Sequence, residues 1–417
     1  MDPTGGTTAV ANAPTDRAAT RDSSSRSLDW HLAALSAAGW LQIAVVLPPF
    51  HFLLFVANVA AAFWLSLRPW KWTTKYAAFL LTEAVYFFLK FYIPRPGYEM
   101  NVVFGRLLPS GAYFGFLWSA VEVIAFLKLA DFVLCRTSSR NPREFSLTRL
   151  VAFVAYPFTF LAGPVIGFEE FYRSRYSERG SEDVWYAVRK CAWGAVQLFV
   201  LAVWLHEAVM GLRRAVLLDE PLAQAVDTRL LMAVWLAGLS VLLHLIYKGY
   251  VDIMLGLSRM AGFRFPEQFR FTLFSRDPIE YWQHGNRGVY RMTSQYIFSR
   301  FFKHDRLLAK TLMATMVSGL VHALMSQHIT LAGMLLLVGL FGMTGVVVGA
   351  LLHARRTNVV KHAHWPESGP AHNALVLSGV ALTFALMAFP RSAFLLLVEG
   401  VPVAQWWGLV SRVFIAS

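Results

Sequence analysis

Charge is scarce in this chain. Only 15% of its 417 residues are Asp, Glu, Lys or Arg, against 56% hydrophobic, well below the roughly 25% charged content of soluble domains, so a soluble fold, disorder and fibrous structure are all excluded. Cysteine is nearly absent. Cys135 and Cys191 are the only two, too few for a disulfide framework and without the clustered spacing of a zinc site, and both read as core residues. No glycine-rich loop is built to cradle a phosphate, no serine stands in a nucleophile elbow, and no repeat of fixed period runs along the sequence.

Acid is the scarcer sign: 25 Asp plus Glu face 38 Lys plus Arg, a formal charge of +13. The basic residues gather in short connectors between apolar runs, as at Arg68, Lys71 and Lys75, at Arg136, Arg140, Arg143 and Arg149, at Arg173, Arg175, Arg179, Arg189 and Lys190, and at Arg355, Arg356 and Lys361. Membrane proteins concentrate Lys and Arg in this way on their cytoplasmic side. The excess charge is therefore a topology signal, and nucleic acid is excluded as a partner.

Apolar runs dominate instead, at 31–47, 49–67, 76–93, 111–134, 149–166, 190–217, 229–248, 307–326, 330–352, 373–392 and 394–415. They predict an all-α polytopic integral membrane protein of about 10–11 transmembrane helices plus re-entrant or interfacial helices, with membrane lipids as its constant partners. Residues 1–28, rich in Thr, Ser, Ala, Gly and Asp and without a signal-peptide core, read as a disordered tail, and 29–417 as one membrane domain. The stretch 249–310 sets ten arginines and lysines among thirteen aromatics. It is too polar to span simply and too apolar for a solvated loop, which leaves an interfacial or re-entrant amphipathic layer, or a cytoplasmic collar anchored by aromatics.

Ionisable residues inside apolar runs are costly and default to functional candidates. Those singled out are Glu83, Glu122, Asp131, His206, Glu207, His244, Asp252 and His322. His322 lies in a run otherwise interrupted only by small and hydroxyl residues; a neutral imidazole is cheaper to bury than a carboxylate and can accept a proton near neutral pH. It reads either as a base or as a core histidine bonded to a neighbouring helix. Asp277-Pro278 marks a helix start with Asp277 as N-cap, and the helix presents Trp282, Asn286 and Arg287. Asn286 can hydrogen-bond a substrate carbonyl without carrying charge; beside Gly285 it also reads as a turn residue. His206-Glu207 opens a zinc-protease pattern that fails at Met210, and His353, His362, His364 and His372 read as solvated. Glu122 and Asp131 stand too far apart to pair and read as helix-pairing or cavity-lining. No metal is implied.

In order, three stretches resemble the membrane-bound O-acyltransferase family, in particular the bacterial branch of alginate O-acetylation and teichoic acid D-alanyl-transfer proteins. They are Phe160-Leu-Ala-Gly-Pro-Val-Ile-Gly-Phe-Glu-Glu-Phe171; Gly249-Tyr-Val-Asp252 with its continuation Gly262-Phe-Arg-Phe-Pro-Glu-Gln-Phe269; and Asp277-Pro-Ile-Glu-Tyr-Trp282 followed by Ser318-Gly-Leu-Val-His322. The likeness covers roughly residues 150–325 and makes 249–325 the catalytic core segment. It implies that His322 is the general base and Asn286 its partner on the thioester, with Asp252, Trp282, Arg287, Arg291 and Ser318 as substrate-binding residues. Arg264, Arg270, Arg287 and Arg291 would meet donor phosphates. Two positions depart from the bacterial pattern: Gly285-Asn286 stands for Trp-His, as in the lipid-modifying branches, and Val321 stands for Trp before His322.

The resemblance further implies transfer of a short acyl group from acyl-coenzyme A or an acyl carrier protein, with no bound cofactor. The acceptor would be a hydroxyl of an extracytoplasmic glycan or cell-envelope molecule, or a lipid of lysophospholipid or sterol type. An accessory envelope protein and location in the bacterial inner membrane go with it. With Lys310 on the cytoplasmic side, His322 lies about 18 Å deeper at 1.5 Å per residue, near or just past the middle of a layer of about 30 Å. Competing readings are a transporter using Glu83, Glu122, Asp131 and Asp252 as a polar path, and a scaffold without chemistry.

Overall fold

A computed structural model describes residues 21–92, 111–138, 144–176, 180–218, 228–270, 272–294, 306–325, 329–356, 370–398 and 403–414. The first twenty residues of the expected tail, the basic Arg140, Arg143, Arg179 and Lys361, and His362 and His364 lie outside the described residues. Among the described residues the chain is helical without a strand, with only two isolated bridges, Arg175 to Phe263 and Phe269 to Gly285. The protein is all-α and crosses the membrane repeatedly.

The helices follow the apolar runs: α1 (Arg21–Val46), α2 (Pro49–Leu67), α3 (Trp72–Tyr92) and α4 (Gly111–Ser138) come first. Short α5 (Leu147–Val154) and α6 (Phe168–Arg173) lead to α7 (Ser181–Ala195), a π-helical stretch Val196–Leu201, and α8 (Ala202–Leu218). Then come α9 (Thr228–Met260), the small α10 (Pro278–His284) and α11 (Arg287–Thr293), the hairpin α12 (Leu307–Met325) and α13 (Leu331–Arg356), and finally α14 (Pro370–Val398) and α15 (Val403–Phe414). Six stretches are long and apolar enough to cross a bilayer: Pro49–Leu67, Ser181–Arg214, Leu230–Met260, Leu307–Leu324, Leu331–Ala354 and Val376–Ala393. Side chains such as Leu53, Trp204, Leu335 and Leu382 stand exposed on their outer faces, where an aqueous protein would hide them and a lipid-facing one has no reason to.

Helices α3 and α4 carry more charge, and each ionised group is directed inward. Glu83 accepts from Asn58 of α2 at 3.0 Å, and Glu122 holds Lys90 at 2.6 Å with both side chains 2% exposed. These bonds tie α2, α3 and α4 to one another; the helix-pairing role expected of Glu122 is what the structure contains.

The run 149–166 does not form the expected single segment. Its helix stops at Val154, and residues 155–167 continue without helix, through the cis Gly163-Pro164 bond, to α6. Pro157, Gly163 and Pro164 deny the run a continuous backbone ladder, and irregular backbone survives among membrane helices only where protein satisfies it. Helix α4 supplies that. Lys128 Nζ donates to the carbonyls of Phe153 (2.9 Å) and Val154 (3.1 Å) and to Thr159 Oγ1 (2.7 Å), while Asp131 accepts from the amide of Phe168 at the start of α6.

The run 229–248 is longer than its apolar part. Helix α9 continues through Gly249 and Asp252 to Met260, so the amphipathic layer starts at Gly262 rather than 249. A close crossing explains the glycine: Gly194 of α7 and Gly249 pack so tightly that a Cβ on either would meet the other's carbonyl oxygen at 2.6 or 2.9 Å. The layer itself is pinned by backbone bonds, Tyr176 N to Gly262 O and Arg264 N to Ser174 O. An aromatic cluster completes it, Phe171 to Phe263 at 5.0 Å and Tyr156 to Phe263 at 4.7 Å between ring centroids.

Candidate active site

A cavity of about 220 Å³ opens where α4, α9, α10, α11, α12, α13 and α14 converge, and it contains both His322 and Asn286. Its lining is mostly apolar, from Ile124 and Leu127 on α4 to Val165 of the irregular segment and Val289 on α11. Among these walls stand a few polar groups, which is the usual make-up of a small-molecule site.

His322 lies in the last turn of α12, about 22 Å from Leu307 along a helix of about 28 Å. Its Nδ1 is 2.7 Å from the carbonyl oxygen of Ser318, one turn back. A carbonyl only accepts, so Nδ1 carries the hydrogen and Nε2 carries the lone pair of the neutral ring. Phe341 of α13 covers the ring at 4.8 Å between centroids. The end of the helix is fixed from behind: Lys90 Nζ donates to Leu324 O at 3.3 Å, and Val321 and Leu324 pack on Tyr86, Phe87 and Val123.

Asn286 takes the left-handed conformation (φ 62°, ψ 66°) that connects α10 to α11, a region asparagine visits more readily than most residues. Its Oδ1 caps α11 at Val289 N (3.4 Å) and its Nδ2 donates to Tyr247 Oη (2.8 Å). The turn reading of this residue is realised, and the same side chain lines the cavity. Gly288, next to it, packs on the Val165 carbonyl at a distance where a Cβ would come to 2.0 Å, so the cap is pressed onto the irregular segment. Asp277 caps α10 as the sequence indicated, accepting from Ile279 N and Glu280 N.

Of the other expected site residues, Trp282 and Ser318 line the cavity, and Asp252, Arg287 and Arg291 are absent from its lining. Asp252 sits in an ion cluster between α7 and α9, 3.1 Å from Lys190 and 2.5 Å from Lys248, with Gln197 Nε2 at 3.1 Å. Neutralising two ammonium groups is what allows a carboxylate inside this helix. Arg291 makes a two-point pair with Glu170. Arg264 is held by Asp183 through Nε and Nη2 at 3.2 and 2.7 Å, and that hydrogen bond raises its pKa further. Both arginines thus have carboxylate partners within the protein.

Three cavity residues escape the sequence reading, Tyr247, Tyr281 and Arg391, and His244, singled out there only as an ionisable candidate, lines the cavity with them. His244 and Tyr247, one turn apart on α9, both set their rings edge-on to Phe269 (5.6 and 5.3 Å). Burial pushes the phenol of Tyr281 up, and the charge of Arg391 pulls the other way. Ionisable groups within apolar runs are the signal for Arg391 too, since it ends the run 373–392.

The fold is that of a multi-pass helical membrane protein, with a mostly apolar cavity among its helices that holds His322 and Asn286. Comparison with protein-family models and with curated proteins finds no match to this chain.

Proposed function

We propose that this protein is a membrane O-acyltransferase of the membrane-bound O-acyltransferase kind. It moves a short acyl group from the thioester of acyl-coenzyme A or an acyl carrier protein to a hydroxyl of an extracytoplasmic glycan or cell-envelope acceptor, in a bacterial inner membrane. The observation that carries this reading is the meeting of His322 and Asn286 in one cavity among membrane helices, with the His322 tautomer that leaves Nε2 basic.

In this mechanism Nε2 takes the acceptor's hydroxyl proton as its oxygen bonds to the thioester carbonyl carbon. The tetrahedral oxyanion then collapses, the carbon–sulfur bond breaks, and the imidazolium returns its proton to the departing thiolate. A positioned base of this kind contributes about 10²–10⁴ in rate. Asn286 Nδ2 has a second hydrogen beyond the one given to Tyr247; aimed at the thioester oxygen it adds about 10²–10³. The apolar lining favours a second form of the reading, with a lipid hydroxyl as acceptor. A transport path through Glu83, Glu122, Asp131 and Asp252 has less support, because each carboxylate is engaged with a different partner.

Mass spectrometry of envelope glycans and lipids from cells making the wild-type chain or His322→Gln tests this reading. The expected result is an acylated glycan or lipid present only with wild type; identical profiles at equal protein levels contradict it.

A further inference from the structure

Arg391 belongs to the membrane-crossing part of α14, directly after Pro390, and lines the cavity that holds His322. Its contacts are with neutral groups: Nη1 lies 3.5 Å from Ser240 Oγ, and the guanidinium carbon 4.9 Å from the centre of the Tyr281 ring. Among the described residues no Asp or Glu pairs with it. Other cations of the helix interior are satisfied more fully, Lys90 by Glu122, Lys190 and Lys248 by Asp252, and Lys128 by two carbonyls and a hydroxyl at 2.7–3.1 Å, whereas Arg391 has one long hydroxyl contact and a ring. The other titratable side chains of the cavity, His244, Tyr247, Tyr281, Tyr290 and His322, include no carboxylate.

An ionised guanidinium held in mostly apolar surroundings is costly unless an anion accompanies it. Its planar fork matches a carboxylate or a phosphate at two points. Neither the sequence motifs nor the acyl-transfer chemistry assigned to His322 and Asn286 gives this residue a task. We propose that Arg391 is the anion-binding residue of the cavity: it takes the carboxylate or phosphate head of an amphipathic substrate whose apolar part lies against walls such as Ile124, Leu127 and Val165. The inference rests on the cavity being a substrate site, as in the proposed function, and not on the chemistry of His322. It narrows the occupant of this cavity to a molecule with an anionic head and an apolar body, and it places anion recognition on α14.

The test compares octanoate, octyl phosphate and octanol, equal chains with different heads, as stabilisers of the full-length protein in nanodiscs of zwitterionic lipid. A ligand that binds the folded state raises its unfolding temperature in proportion to occupancy. For wild type, at least one of the two anions reaches a given shift at a concentration about tenfold or more below octanol, the scale of a charge-assisted hydrogen bond; which of them does so separates a carboxylate head from a phosphate. Arg391→Gln loses the advantage, Arg391→Lys keeps part of it, and His322→Gln keeps all of it. Octanol matching both anions in wild type overturns the inference without need of any variant, and so does an advantage that survives Arg391→Gln. Anion binding through Arg391 in a protein that transfers no acyl group overturns the proposed function alone.

Discussion

Lys128 and Asp131, neighbours across one turn of α4, serve opposite ends of the break between α5 and α6: the ammonium takes the carbonyls of Phe153 and Val154, and the carboxylate takes the amide of Phe168. Each charge has the sign that the helix end it meets prefers, cation at a C-terminus and anion at an N-terminus. Between them lie Ala162 and Val165, part of the cavity wall. Two charges on one helix thus hold open an irregular segment that the cavity needs.

Lys128→Met removes the donor from three oxygens in a fully buried place. Each orphaned polar group costs about 1–3 kcal/mol, so the variant loses about 3 kcal/mol or more. Thermal unfolding in detergent reads this as a clearly lowered midpoint; an unchanged midpoint means that the break is held by something else.

Lys90 and Glu122 form a pair that also grips the His322 helix through Leu324 O. Lys90→Met alone leaves the buried Glu122 carboxylate without its cation, with Tyr86 Oη still donating to it at 3.1 Å, and costs about 3 kcal/mol, whereas Lys90→Met with Glu122→Leu recovers most of that loss. The double variant still lacks the bond to Leu324, so it is stable yet slower in acyl transfer. Stability and transfer rate recovering together would argue against a positioning role.

Asn286 has two tasks that substitutions separate. Asn286→Gly keeps the left-handed turn at little cost but deletes the amide, so the unfolding midpoint stays near wild type and the transfer rate drops about 10²-fold. Tyr247→Phe removes the acceptor of Nδ2 and produces a smaller rate loss. Full activity in Asn286→Gly leaves this residue as a cap only.

Asp252, read from the sequence as a substrate-binding residue, belongs to the α7–α9 contact. Asp252→Asn weakens the neutralisation of Lys190 and Lys248 and destabilises the protein by a few kcal/mol, with the KM for the acyl donor unchanged. A raised KM at unchanged stability would return Asp252 to the substrate.

The sequence was most readable where one local property decides the outcome. The unbroken apolar run at 49–67 became α2 at those same bounds, and 307–326 became α12; the Asp277-Pro278 start and the His322 candidate were legible in the same way. Misreadings occur where a distant residue decides. A carboxylate at 252 looked like the end of a span because Lys190, 62 positions away, is what makes it tolerable inside α9. The end of α5 at Val154 depends on Lys128, and the run 149–166 alone shows only its prolines and glycine. Arg391 falls at the end of the run 373–392, and nothing in the sequence announces that α14 continues past Pro390 to Val398 and carries it inside a helix.

The most direct test of the account is single-turnover transfer of a radiolabelled acetyl group from acetyl-coenzyme A, with released thiol counted alongside, by purified wild type and His322→Gln in membranes supplying the acceptor. Wild type couples thiol release to label in the acceptor one to one, and the variant, folded with an unchanged unfolding midpoint, transfers at least about 10²-fold more slowly. Transfer by His322→Gln at close to the wild-type rate would contradict the assignment of the base and of the site with it.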